Sequence, residues 1–186
     1  TGRDDEEPSE AETAEAVALA GDGPPRYVLV HDGSGRLDGY AGLPERLAAS
    51  GPVWGVVDGG LHRYAGLDPA PLVQRLAADS AAALAGHLSA GPLTLVGRGE
   101  AGVLALELAR QLTESGVDLA GLAVVDPVPG DGYGSSPYAG DVTLLCPGEP
   151  DGAAVDWWRD VCLGDLAVHR VPDDPAGWAG PIAGEG

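Results

Sequence analysis

The chain contains no lysine, phenylalanine, methionine or asparagine, and all 10 of its basic residues are arginine. Against 29 acidic residues this leaves a formal net charge of -19 at pH 7. Polyanionic partners would meet a repulsive field, so neither nucleic acid nor an anionic membrane is an expected partner. The sequence also lacks an apolar run of membrane-spanning length and a signal-peptide pattern, and we expect a cytoplasmic location.

The missing initiator methionine and the acidic start predict a module of a larger protein. Residues 1 to 15 hold seven acidic side chains and one arginine, and such a run repels itself. We therefore expect residues 1–25 to be an acidic disordered linker and residues 26–186 to be the folded domain. Within the linker, the alanine-rich piece 11–20 permits a short helix, which the glycines and prolines of 21–25 end.

From Arg26 onward, short apolar runs alternate with helical patterns, which is typical of βαβ units and a mostly parallel, doubly wound sheet. The expected strands are 27–30, 53–57, 93–96, 122–125, 142–146 and 166–171. The expected helices are 40–47, 71–89 and 103–112. After Val171, three prolines and two glycines up to Pro181 exclude a long final helix.

The turn Gly97-Arg98-Gly99-Glu100-Ala101-Gly102 lies between a predicted strand and a predicted helix. Strand, tight turn and helix are the setting of a hydrolase nucleophile elbow, in which a serine is exposed at the top of the sheet. Here Gly99 stands where that serine is expected. The turn therefore predicts the scaffold of a hydrolase without its nucleophile.

Taken in order, the segments resemble the thioesterase domains of nonribosomal peptide and polyketide synthases, a branch of the α/β-hydrolase fold. The resemblance runs from about residue 26 to residue 174. Its parts are the first-strand loop at 30–35, a second strand and turn at 53–61, the elbow and its helix at 93–112, the strand before the triad aspartate at 122–126, and a degenerate Gly-Asp-His segment at 168–175.

The resemblance implies a catalytic triad, of which only Asp126 remains. Gly99 replaces the serine and Pro175 falls where the general-base histidine belongs. A lone carboxylate cannot perform acyl transfer, because its task in the triad is to orient the histidine. Glu100 would place a negative side chain beside the oxyanion hole. Residues 127–141 are also too few for the helical lid of the family, which predicts a truncated, lidless fold.

Several alternatives stay open at the level of the sequence. Ser34 or Cys146 can be imagined as a displaced nucleophile, although either would need a nearby base. His31 and His62 both follow predicted strands and would bind a metal if they met each other or Asp126, but no third ligand stands at a suggestive spacing. We expect no cofactor and no metal.

For several other residues the sequence favours a structural interpretation over a chemical role. Asp126 is better explained as a turn-capping remnant than as a working acid or base. Cys146 and Cys162 lack metal-ligand spacing and predict small buried residues rather than a disulfide. Tryptophans 157, 158 and 178 form a docking patch in one interpretation and cover an otherwise bare core in the other.

The expected function is therefore that of a catalytically inactive thioesterase-like domain of a nonribosomal peptide synthase, active in natural product or antibiotic biosynthesis. It would be an interaction platform for the carrier protein domain of the same chain, for a trans-acting tailoring enzyme, or for both. A haem monooxygenase that hydroxylates the carrier-bound amino acid is one such enzyme. The alternatives are an active thioesterase or acyltransferase with an unorthodox site, and a purely structural remnant.

Overall fold

A seven-stranded sheet forms the centre of the molecule in the computed structural model, which describes residues 13–134 and 136–184. The strand order is β1-β3-β2-β4-β5-β6-β7, with β1 antiparallel to β3 and the other neighbours parallel. The strands are β1 (Ala14–Ala20), β2 (Tyr27–Val30), β3 (Val53–Asp58), β4 (Leu93–Arg98), β5 (Leu119–Val125), β6 (Val142–Cys146) and β7 (Leu166–Arg170). The predicted α/β class with a mostly parallel sheet is confirmed.

Helices cover both faces of the sheet, as a doubly wound fold requires. They are α1 (Leu43–Leu47), α2 (Pro69–Leu84), α3 (Ala101–Glu114), α4 (Gly152–Val161) and α5 (Ala179–Ile182). The core on one face contains buried residues of α2, α3 and α4, and the core on the other contains those of α1 and α5. In the described part of the chain, no helix is both long and apolar enough to cross a membrane.

Alternation along the strands explains why the sheet has two cores. In β2, Val28 and Val30 belong to the core beneath α2 to α4, while Tyr27 and Leu29 belong to the core beneath α1 and α5. Successive strand residues point to opposite faces, so a strand buried on both sides reads as a continuous apolar run. The unbroken apolar runs in the sequence are therefore the central strands of the sheet.

The structure differs from the expected boundary of the folded domain. Ala14–Ala20, placed in the linker and considered as a helix, is an edge strand that pairs with β3 from Ala14 opposite Asp58 to Ala20 opposite Val53. Alanine favours a helix more than any other residue, but such propensities are small compared with tertiary contacts, and pairing with the otherwise open edge of β3 overrides them. Residues 1–12 of the predicted disordered segment lie outside the described residues.

The connection from β5 to β6 and the segment after β7 both contain little regular secondary structure. The described residues of the connection 127–141 contain no helix, and its two tyrosines, Tyr133 and Tyr138, are buried in the core. After β7 the chain forms a 3₁₀ turn over Pro175–Trp178 and the four-residue helix α5. The prolines and glycines thus permit a helix, but only a single turn of it.

Candidate functional site

The turn between β4 and α3 has the backbone of a nucleophile elbow. Gly99 has a φ of 57°, in the left-handed region that is strained for a residue with a side chain. Its amide donates to the carbonyl oxygen of Val125 over 2.8 Å, and its own carbonyl accepts from the amide of Gly102 over 3.0 Å. These bonds fix the apex of the turn beside the end of β5.

Two glycines allow this turn to pack so closely. A Cβ atom on Gly97 would lie 2.5 Å from the carbonyl oxygen of Ala101, and one on Gly102 would lie 2.5 Å from Cγ1 of Val124. A Cβ on Gly99 meets nothing within 4 Å. Gly97 and Gly102 are therefore required by packing, whereas position 99 has room for the side chain that the turn normally presents.

Asp126 follows β5 directly and is the only non-glycine residue with a positive φ in the described part of the chain, at 51°. Its amide donates to the carbonyl oxygen of Leu145 over 2.8 Å, and its side chain is exposed. Aspartate tolerates this conformation better than most residues. Asp126 is thus next to the elbow and belongs to the turn that ends β5.

The segment expected to carry the general base is built around a tryptophan. Pro175 begins the 3₁₀ turn, and Asp174 caps it by accepting from the amide of Ala176 over 3.1 Å. Trp178 is fully buried and donates from Nε1 to the carbonyl oxygen of Pro172 over 2.8 Å. Position 175 therefore belongs to a turn that anchors a core residue.

Arg98, the second residue of the elbow, connects the elbow to this C-terminal segment. Its guanidinium lies over the ring of Trp178, 5.4 Å from the ring centroid, and donates to the carbonyl oxygen of Gly39 over 2.9 Å. A cation over the face of an indole is a stabilising contact. The side chain of Arg98 thus has a structural role beside the elbow.

The first-strand loop, residues 30–35, follows β2 and folds back on itself through Asp32. Its carboxylate accepts from the amide of Ser34 over 2.7 Å and from the Ser34 hydroxyl. The hydrogen bond from the Ser34 hydroxyl has the largest effect on the pKa of Asp32 and lowers it, and the bond from the Ser34 amide lowers it as well. The pKa of Asp32 therefore lies below its usual range, although burial acts to raise it. The Ser34 hydroxyl is therefore committed to a carboxylate of its own turn.

Neither cysteine has the environment of a nucleophile. Burial, and secondarily the nearby Asp126, raises the pKa of the Cys146 thiol, and burial also raises the pKa of Cys162. Since the thiolate is the reactive form, both shifts disfavour reaction. The two cysteines are free thiols, as their positions in the sequence indicated.

Of the histidines, only His31 lies at the site. It is buried, its Nδ1 is 2.9 Å from the carbonyl oxygen of Asp32, and its Nε2 has no hydrogen-bond partner in the described structure. His62 is exposed, and His87 stacks against Trp54 with ring centroids 4.7 Å apart. Within residues 13–134 and 136–184, no three metal-ligating side chains are grouped to hold an ion.

Two open cavities lie along the start of α3. The first, of about 390 Å³, is bounded by the first-strand loop, the segment 61–67, α2 and the beginning of α3. The second, of about 490 Å³, continues toward the connection between β5 and β6. Leu67, Leu72, Val73 and Glu100 line both cavities, so the two form one apolar groove with a carboxylate at its centre.

The burial of the tryptophans tests the hypothesis that Trp157, Trp158 and Trp178 form an exposed docking patch. Trp158 and Trp178 are fully buried, one in each core, so the interpretation that they form an exposed patch was wrong for both. Trp157 is half-buried and packs edge-on against Trp158, with ring centroids 5.1 Å apart. These three residues do not form one surface.

The sheet topology, the elbow and the loop after the first strand of the hydrolase core together define an α/β-hydrolase fold. A family model described as "Thioesterase domain" matches residues 25–145. The chain belongs to the thioesterase domain family. No curated protein matches it in sequence.

Solved structures with the same fold include two thioesterase domains and a nonribosomal peptide synthetase. The wild-type Vlm2 thioesterase domain has a TM-score of 0.66 at 20% identity, with 93% of this chain and 94% of that chain covered. The NocB thioesterase domain from the nocardicin cluster has a TM-score of 0.57 at 23% identity, with 86% and 88% covered. A four-domain nonribosomal peptide synthetase bound to AMP and glycine has a TM-score of 0.66 at 14% identity, with 91% and 19% covered.

Sequence reasoning missed the groove and the helix α4. The groove is formed by residues far apart in the sequence, and no local pattern marks them. For α4 a signal was present, because Asp151 is a good N-cap residue and Ala154, Val155, Trp158 and Val161 recur on one helical face. Asp151 does cap this helix, accepting from the amide of Ala153 over 3.1 Å.

Proposed function

We propose that this thioesterase-like domain is catalytically inactive and is an interaction platform within a nonribosomal peptide synthase. The observation that carries the proposal is the elbow, which keeps its strained backbone but has Gly99 at its apex. Without an oxygen or sulfur atom at this position, no acyl-enzyme can form. A role as an interaction platform would explain why the fold is retained without a nucleophile at position 99.

The surroundings of the apex support inactivity as well. Pro175 stands at the position of the general base, and proline has no titratable group to accept a proton. Glu100 places an exposed carboxylate at the start of α3, next to where an oxyanion would develop, and this charge opposes the transition state of acyl transfer. The Ser34 and Cys146 environments described above provide neither an activated hydroxyl nor a thiolate.

The proposed inactivity predicts that the variant Gly99→Ser stays inactive. The serine side chain has space, and its conformational strain is about 1 to 2 kcal/mol, so the variant should fold. Nevertheless Pro175 stands where the general-base histidine is expected, so the serine would have no base at that position to take its proton. We expect both wild type and G99S to release thiol from aminoacyl N-acetylcysteamine thioesters at the background rate, measured with a colorimetric thiol reagent.

The controls for this experiment separate the competing enzyme hypothesis. Circular dichroism and thermal unfolding of G99S establish that the variant is folded. Wild-type turnover well above background that is abolished in Asp126→Asn or Ser34→Ala contradicts inactivity and supports an unorthodox active site. Turnover that arises only in G99S contradicts the argument that the general base is missing.

The partners we propose are the carrier protein domain of the same synthase and a trans-acting tailoring enzyme, such as a haem monooxygenase acting on the carrier-bound amino acid. The net charge of -19 favours a partner with a basic docking face and fast, salt-sensitive association. Trp157, half-buried at the surface of α4, is the remaining aromatic candidate for such a contact.

We therefore expect the domain to bind its partner in calorimetric titration, with a dissociation constant that rises several-fold when the salt concentration increases from about 0.05 to 0.5 M. Bovine serum albumin is a suitable acidic control and should show no binding. The platform is refuted if deletion of residues 26–186 leaves both carrier association and tailoring rate unchanged. That result favours a structural remnant.

A further inference from the structure

The two edges of the seven-stranded sheet, β1 and β7, differ in how they are protected. The ladder between β1 and β3 shifts register between Ala18 and Ala20, and Glu15 adds a charge to this edge. A bulge and a charged residue are devices that keep an edge strand from pairing with another chain. In contrast, β7 pairs with β6 in unbroken register and has no proline, acidic residue or arginine before Arg170, its last residue. The β7 edge is therefore the less protected of the two.

Alternate residues of β7 direct their backbone groups away from the sheet. At its two ends, the carbonyl oxygen of Asp165 accepts from the amide of Val142 over 2.9 Å, and the amide of Val171 donates to the carbonyl oxygen of Cys146 over 3.1 Å. Both bonds point toward β6, and the N–H and C=O groups of successive strand residues point in opposite directions. The residues whose N–H and C=O groups face the open edge are therefore Leu166, Val168 and Arg170. No strand in the described part of the chain pairs with them on that side.

The same edge exposes apolar side chains. The exposed large hydrophobic residues in the described part of the chain are Leu67, Leu163 and Val168. Two of them lie here, because Val168 is in the middle of β7 and Leu163 is in the loop that leads into it. Leu163 is 69% exposed. Apolar side chains beside unpaired backbone groups are what an added strand would cover.

We propose that β7 is an interface between two copies of this domain, in which the two β7 strands pair antiparallel about a two-fold axis at Val168. In this register Val168 lies opposite Val168 of the second copy, and Leu166 lies opposite Arg170 of the second copy. Each of these pairs exchanges two N–H···O=C bonds. Every outward N–H and C=O group of β7 is then satisfied, and the two seven-stranded sheets form one continuous sheet.

Charge complementarity favours a second copy in this orientation. Asp165 directly precedes β7, and Arg170 ends it. Antiparallel pairing places Asp165 of each copy within one residue position of Arg170 of the other, and no like charges stand directly opposite each other. The net charge of -19 on each copy opposes association over longer distances. We therefore expect a weak dimer that added salt strengthens.

The first test is sedimentation velocity of the whole chain over a range of concentrations. We expect a monomer–dimer equilibrium whose dissociation constant falls several-fold when the salt concentration increases from about 0.05 to 0.5 M. A basic partner should show the opposite salt dependence, so the dimer and the proposed function can fail independently of each other. A chain that stays monomeric up to about 1 mM overturns the dimer.

Charge substitutions at the axis test the register. In Val168→Glu or Val168→Lys two like charges face each other and both valines are lost, so we expect each variant alone to dimerise about tenfold more weakly than wild type. Mixing the two variants places a glutamate opposite a lysine and should restore the dissociation constant to within about threefold of the wild-type value. Restoration also shows that both variants are folded.

Leu67→Glu and Leu67→Lys are the matched controls, because Leu67 is 41% exposed and Val168 is 40% exposed. Leu67 lies before α2 and outside the proposed interface, so its variants should dimerise like wild type. Equal weakening at both positions overturns the assignment to β7. A mixture of the two Val168 variants that dimerises no better than each one alone overturns the register.

Hydrogen exchange of the backbone amides identifies the interface residue by residue. The amides of Leu166, Val168 and Arg170 should exchange more slowly at high than at low protein concentration. Those of Ala167 and His169 point toward β6 and should not change. Slowing confined to β1 moves the interface to the other edge and overturns the proposal. Slowing of β7 that requires an added carrier protein assigns this edge to that partner and overturns pairing between copies.

Discussion

Replacing Trp158 with alanine is expected to lower the free energy of unfolding by about 3 to 5 kcal/mol, the usual cost of truncating a buried tryptophan. The side chain is fully buried between α4 and the sheet, and its Nε1 donates to the carbonyl oxygen of Val128 over 3.1 Å. Truncation leaves a cavity next to Gly102 and removes the bond to the β5–β6 connection. Urea unfolding followed by circular dichroism measures the change.

Trp157→Ala is the matched control, because the two tryptophans are neighbours on the same helix. Trp157 is half-buried, and its ring covers Gly130, so we expect a loss of about 1 to 2 kcal/mol. Trp157→Ala is also the variant that should affect partner binding, if α4 contributes to docking. Similar losses of stability for both variants would contradict the packing described for α4.

Replacing Gly35 with alanine is the second change with a large expected effect, about 2 to 5 kcal/mol in unfolding free energy. Gly35 has a φ of 79°, and a Cβ on it would lie 1.8 Å from the carbonyl oxygen of Asp58. The left-handed conformation alone costs an alanine about 1 to 2 kcal/mol, and displacing the β3 backbone adds about 1 to 3 kcal/mol.

The first-strand loop depends on Gly35, which accepts from the amide of Asp58 over 2.9 Å and donates to the carbonyl oxygen of Asp32 over 3.0 Å. G35A should therefore also shift the NMR signals of the His31 imidazole. Gly33→Ala is the control in the same loop, since a Cβ there meets nothing within 4 Å, and it should change stability by less than about 0.5 kcal/mol. A stable G35A with unshifted signals would contradict the close approach of loop and β3.

The residues of the elbow and its surroundings are held in place by contacts with neighbouring elements. Gly97 and Gly102 are fixed by contacts with α3 and β5, Arg98 by Trp178, and Asp126 by the turn that ends β5. Each of these positions therefore has a structural role in the described part of the chain. Gly99 is the exception, because a side chain there would meet no neighbour within 4 Å. Only its positive φ favours glycine at this position.

Much of the fold could be predicted from the sequence, because burial on both faces of a parallel sheet leaves unbroken apolar runs. The runs at 27–30, 53–57 and 93–96 are strands that begin where predicted. The strand Ala14–Ala20 could not be predicted in this way. Its alanines favour a helix locally, and only the open edge of β3, far along the chain, makes the strand more favourable.

For the candidate site the division is similar. The elbow is local, since strand, glycine-rich turn and helix follow one another in the sequence, and so Gly99 could be recognised as the apex of this turn. The docking hypothesis for the tryptophans required knowledge of burial. Trp178 lies in the core with residues of α1, α5 and the sheet, and Arg98 lies over its ring; no pattern within residues 172–181 indicates this.

The sequence by itself determined the α/β class, the mostly parallel strands and the family of this domain, because these follow from local periodicity and from motifs that are contiguous in the chain. Only the tertiary structure decided the first edge strand, the burial of Trp158 and Trp178, and the acidic, apolar cavity around His31. Each of these depends on which distant segments come together, and such contacts are governed by packing, which leaves no local signal in the sequence.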